Sequence, residues 1–117
     1  LAPGNHEFDH GPEVLAQALN SVSFTALCSD LEVENTSMAK SCQPYLLRNY
    51  QGIRVGFFSL MTEDFPVVTV PGKVKIEDNR IVVARQMVEL LRQKGAQVIV
   101  AVTHIGTATD RAVAAGV

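Results

Sequence analysis

Near the start of the chain, residues Gly4 to Gly11 read GNHEFDHG, a segment with two histidines, two carboxylates, an asparagine and two glycines. Asn5 offers a neutral amide oxygen, a suitable donor to a hard divalent cation. His6 can ligate a metal, donate a proton or, as imidazolium, balance an oxyanion. Asp9 follows three residues later, close enough on a turn to accept a hydrogen bond from the His6 ring. A carboxylate there fixes the tautomer and keeps the ring basic. Gly4 permits close backbone approach after a strand. His104 ends the apolar run AQVIVAVTH and is the second candidate centre. Other polar groups read more plainly: Glu7 as a first-turn acid, His10 as exposed, and Thr62, Glu63 and Asp64 as a solvated loop. Ser29 and Asp30 are polar enough to line a cleft.

To meet, His6 and His104 must be delivered by regular elements. Leu1 and Ala2 read as a strand end, and Pro12 opens a helix over residues 12–19. FTALCSD, residues 24–30, reads as a short buried strand, and the polar stretch 32–44 as a loop. PYLLRNY and IRVGFFSLM are strands joined by Gln51-Gly52 in a tight turn. Residues 62–74 are broken by Pro66, Pro71 and Gly72 and read as a long loop. Asp78 is the expected N-cap of a helix over residues 80–94 with Ile81, Ala84, Val88 and Leu91 on its apolar face and Gly95 as its stop. AQVIVAVTH reads as a strand buried on both faces, and residues 107–116 begin another helix. The order predicts a layered α/β architecture with helices packed on a sheet. In such sheets ligands gather at the carboxyl ends of strands, where His6 and His104 both fall.

The 117 residues fit a single domain, and a formal charge of -2 without a Lys/Arg cluster argues against nucleic acid as partner. No apolar stretch approaches the roughly 20 residues that span a bilayer. An anionic substrate would therefore be held by a metal or by local dipoles. Cys28, in an apolar run, reads as a buried thiol and Cys42 as a loop cysteine. A disulfide would suit export, but two cysteines are too few to read as a framework. The absence of a signal peptide and of an initial Met reads as an internal piece of something longer.

GNHEFD resembles the signature of the calcineurin-like metallophosphoesterases, and its EFD extension the branch containing the 5′-nucleotidases. PYLLRNYQGIRVGFFSL is similar to that family's strand-turn-strand segment, and VTHIGTATDRAVAAGV resembles its later block. The resemblance implies a metallophosphoesterase-type layered sheet, incomplete here, with residues 1–117 forming part of the catalytic domain. It implies Asn5 and His104 as metal ligands, His6 as the residue that stabilises the phosphate and leaving oxygen, and Asp9 as its partner. It also implies two divalent ions (Mn, Zn, Fe or Co), a nucleoside monophosphate or related phosphoester as substrate, and export. Substrate-binding residues are not assigned, and the Ala-Asn pair of relatives is replaced by Ser29-Asp30.

The family's Asp-x-His, Gly-Asp and Gly-His-x-His segments are missing from the chain. Two matched ligands are too few for two ions, so the expectation for the chain alone is weak or no metal binding and no turnover. Exposed sheet edges give it reason to self-associate. A thiosulfate-ester hydrolase of the same superfamily competes with the nucleotidase reading. So does a non-catalytic α/β binding or scaffold protein. A dinucleotide-binding module is disfavoured, because no Gly-x-Gly-x-x-Gly follows a strand.

Overall fold

The computed structural model describes residues 1–117 and contains a three-stranded mixed sheet with two helices packed on one face and a third in a cluster across its middle strand. Strands β2 (Leu46–Tyr50) and β3 (Ile53–Met61) pair antiparallel, with Tyr50 beside Ile53. Gln51 and Gly52 between them take φ of 52° and 91°. Two consecutive left-handed residues match the twist of the flanking strands, which is why this dipeptide closes a hairpin. Strand β5 (Val98–His104) then joins β3 in parallel, from Val55 beside Val98 to Met61 beside His104.

The crossover between β3 and β5 is helix α3 (Arg80–Gln93). Its cap is Asn79 and not the expected Asp78: Asn79 Oδ1 accepts from the N–H groups of Ile81 and Val82, each at 3.1 Å. The helix buries Val83, Ala84 and Leu91 against Phe58 and Leu60 of β3, with Ile81 and Val88 half-buried at the margin. Gly56 lies under Leu91, where a Cβ would come within 2.9 Å of the leucine side chain. Helix α4 (Thr107–Gly116) closes this cluster with Val113.

A second cluster lies across β3. The alternation of strand side chains sends Phe58 and Leu60 to the helices and Met61 to the other side. There Met61 meets Phe8, Leu15, Leu19, Cys28, Met38 and Phe65. Helix α1 (Pro12–Asn20) supplies Leu15, Ala16 and Leu19 to this cluster, as its periodicity predicts. No helix is long and apolar enough to cross a membrane.

Several expectations are corrected. Residues 24–30 form no strand: Leu27 makes one bridge to Gln43, and Phe24 is exposed. The segment meets β3 through side chains instead of a ladder. Ser29 Oγ accepts from Ser59 N–H at 2.7 Å, and Ser59 Oγ accepts from Ser29 N–H at 3.1 Å. The strand that follows, β1 (Leu31–Glu32), pairs with β4 (Lys75–Ile76), just past the expected loop over residues 62–74. Within that loop, α2 (Phe65–Val68) buries Phe65 completely. The polar stretch 32–44 holds a 3-10 turn, Ser37–Lys40, which buries Met38 and is capped by Thr36.

β5 is not buried on both faces. Val98, Val100 and Val102 are 47%, 37% and 39% exposed, because α3 and α4 cover one face only and β3 is its one neighbour.

Cys28 is not a free thiol; it is bridged to Cys42. The bridge ties the buried segment 26–28 to the 3-10 turn across a sequence separation of 14. Closing a loop of that size stabilises by about 3 kcal/mol, chiefly through the unfolded chain. Replacing both cysteines with serine is expected to lower the unfolding free energy in urea by about that amount. An unchanged midpoint would show that the bridge contributes nothing.

Candidate active site

The GNHEF segment folds as a 3-10 turn over Asn5–Phe8. Gly4 N–H donates to Glu7 Oε2 at 2.6 Å, so Glu7 caps the turn. Phe8 is fully buried, edge-on to Phe65 with ring centroids 4.8 Å apart. With Phe8 inward, the turn presents His6 to solvent and tucks Asn5 to 9% exposure. His10 lies outside this arrangement and is exposed, as expected.

His6 Nδ1 donates to Asp9 Oδ2 at 3.0 Å. This hydrogen bond, and then the charge of Asp9, raises the His6 pKa above the ordinary histidine value, and Glu7 adds a smaller push. The ring thus keeps its proton to higher pH, with Nε2 free.

His104 ends β5 at the carboxyl end of the sheet. Its Nε2 donates to Asn5 Oδ1 at 2.9 Å, joining residues 99 positions apart. Next to it, Thr103 Oγ1 donates to Asp110 Oδ1 at 2.7 Å, tying the strand end to the first turn of α4. Asn5, His6, Thr62, Asp64, His104 and Asp110 line one open cavity of about 760 Å³. A separate, mostly aliphatic hollow of about 460 Å³ between β5, α3 and α4 contains neither Asn5 nor either histidine.

All four nominated residues, Asn5, His6, Asp9 and His104, therefore lie on or beside one face of the molecule. Thr62 and Asp64, expected in a solvated loop, border the cavity while remaining accessible, and Glu63 does not line it. Asp110, the aspartate of the later block that resembles the family, is given no role by the sequence, and the structure sets it at the cavity edge. Its signal is an acid in the first turn of a helix that follows a strand-end histidine.

The donor set can be tested for a divalent cation. Asn5 Oδ1 and His104 Nε2 are donor atoms of suitable type and already converge at 2.9 Å. They fit one edge of a coordination shell, which needs four or more donors. No group of three or more His, Cys, Asp or Glu side chains converges in the chain. The fit is partial, and it is of the right chemistry.

No protein-family model matches the chain. A 5′-nucleotidase of Vibrio parahaemolyticus is 32% identical over 91% of the chain and 19% of its own length. The crystal structure of a 5′-nucleotidase precursor from Thermus thermophilus superposes with a TM-score of 0.90 at 31% identity, over 97% of this chain and 22% of that one. The calcineurin-like phosphoesterase YfkN from Bacillus subtilis shares the fold, with a TM-score of 0.74 at 20% identity over 91% of this chain and 34% of that one. The fold is that of the calcineurin-like phosphoesterases, a class of phosphoester hydrolases. Within that class the chain belongs with the 5′-nucleotidases, as a segment of their metallophosphoesterase domain. It spans about a fifth of the length of the curated relatives it matches.

Proposed function

We propose that residues 1–117 are part of the catalytic domain of a 5′-nucleotidase-like hydrolase, which releases phosphate from a nucleoside monophosphate or related ester. The observation that carries this reading is the meeting of Asn5 Oδ1 and His104 Nε2 beside the His6–Asp9 pair, at the carboxyl end of the sheet. In this reading Asn5 and His104 ligate one of two divalent ions, of Mn, Zn, Fe or Co type. When bound, such ions supply charge neutralisation at the phosphoryl group and an activated nucleophile.

The chain's own residues do the rest. Asp9 orients His6 through Nδ1 and favours its imidazolium form, leaving the proton on Nε2 for the departing oxygen. Thr103 and Asp110 hold the strand end that carries His104. The chain alone holds too few donors for a pair of ions and is read as a weak metal binder without turnover. A disulfide is compatible with an exported protein, since such bridges persist in oxidising compartments. The open edge of β5 gives the isolated chain a means of self-association.

The test is made in the longer polypeptide that carries these residues. Replacing His104 with alanine is expected to lower divalent-metal occupancy, measured by elemental analysis, with AMP hydrolysis falling in parallel. Full occupancy in the variant would remove His104 from the ligand set. Absence of any metal-dependent phosphate release from the unaltered polypeptide would favour a non-catalytic protein that kept the fold.

A further inference from the structure

The last ladder position of β3 is held from outside the sheet. Asp30, 1% exposed, accepts at Oδ2 from the Met61 N–H at 2.7 Å. Arg80, buried at the start of α3, donates from Nη1 to the same oxygen at 3.3 Å. Nη1 also donates to the Met61 carbonyl at 3.1 Å. One side-chain pair thus occupies both backbone polar groups of Met61. Met61 stands beside His104 in the parallel register. It is followed directly by Thr62, which lines the cavity.

The arrangement is expensive as a way to fill a core. Two charges are withdrawn from water, and Nε and Nη2 of Arg80 find no partner. Well-packed apolar residues are often at least as stable as a buried ion pair. The pair does something an apolar pair cannot: it fixes one peptide at the point where the sheet enters the site.

We propose that Asp30 and Arg80 are positioning residues, a clamp on Met61 that sets the His104 and Thr62 sides of the cavity. Their role in hydrolysis rests on the function proposed above; the clamp itself does not. Burial pushes the Asp30 carboxyl up to about 6, against the opposing effects of the Met61 N–H and Arg80. Glu77 adds to the rise, and Arg80 and Glu77 are the charged groups that act on it. Asp30 is thus ionised above about pH 6 and protonated below it.

The test is backbone amide hydrogen exchange on the longer polypeptide that carries these residues, without added metal or substrate, expressed as protection factors. Local opening is read residue by residue in such data. Asp30→Asn and Arg80→Met are each expected to lower protection at Leu60, Met61, Thr103 and His104 by about tenfold or more. Protection at the opposite end of the same ladder, Val55, Gly56, Val98 and Ile99, should stay unchanged. Arg80→Lys should restore part of the loss. Equal acceleration at both ends would reduce the pair to a general stabiliser and overturn the clamp, as would no change at either end. If one variant fails to fold, the other and Arg80→Lys decide. No metal or substrate is involved, so the outcome is independent of whether the hydrolase reading holds.

Discussion

Asparagine at position 6 is expected to lower AMP hydrolysis by the longer polypeptide by about 10²- to 10⁴-fold, the usual contribution of a positioned acid-base group. Metal content and melting behaviour should be little changed. The separation follows from where His6 sits: its side chain is 79% exposed, and its one hydrogen bond is to Asp9. Nothing in either apolar cluster depends on it. A loss of activity in His6→Asn can therefore be assigned to chemistry and not to packing. Asp9→Asn gives the companion measurement, because it keeps the ring and removes the carboxylate that holds it. Its effect should be smaller than that of losing the imidazole. An unaltered rate in His6→Asn would take the residue out of the mechanism.

The second large effect comes from a residue of the same short segment and has nothing to do with catalysis. Phe8→Ala is expected to lower unfolding free energy by about 3–5 kcal/mol, the range for emptying a buried phenylalanine site. Phe8 is fully buried in the larger cluster, and its edge-on contact with Phe65 is lost together with the burial. A domain is typically stable by about 5–15 kcal/mol, so a third or more of the margin would go. Urea unfolding of the 117-residue chain measures the loss directly. Phe8→Leu should recover much of it, since leucine fills part of the space. A change below about 1 kcal/mol would mean that the surrounding side chains collapse into the gap. The GNHEF turn is thus anchored by its phenylalanine, and His6 owes its outward direction to what lies two residues further on.

Features governed by neighbours along the chain are legible in the sequence. Gln51-Gly52 between two apolar runs specifies its hairpin through left-handed dihedrals alone. The 3.6-residue period of residues 80–94 specifies α3 in the same local way. The Asn5–Asp9 turn carries its meaning through residue types at fixed spacing, and His104 through its place at the end of an apolar strand. What escapes is set by distant partners. Asp30 is explained by Met61 and Arg80, which lie 31 and 50 positions away, and no local pattern announces either. Residues 24–30 look like a strand because they are apolar, yet Ser29 and Ser59 join the segment to β3 through hydroxyls where a ladder is expected. Met38 carries no period at all and is buried by a turn that Thr36 caps. The valines of β5 mislead because an apolar run reports attraction to a core, not whether one or two faces are covered.

The run Val98-Ile99-Val100-Ala101-Val102 has a further consequence during synthesis. It is uncharged, rich in β-branched residues and free of proline, which is the composition of a segment prone to cross-β stacking when left unpaired. Its protection is kinetic and lies in the order of the chain. The β2–β3 hairpin is local and precedes it, so β3 can present a finished edge by the time β5 leaves the ribosome. Arg92 and Lys94 upstream place charges against mispairing in the interval. The parallel register of β5 on β3 therefore serves as more than the support of His104: it is a template that can pair an aggregation-prone stretch as it is made.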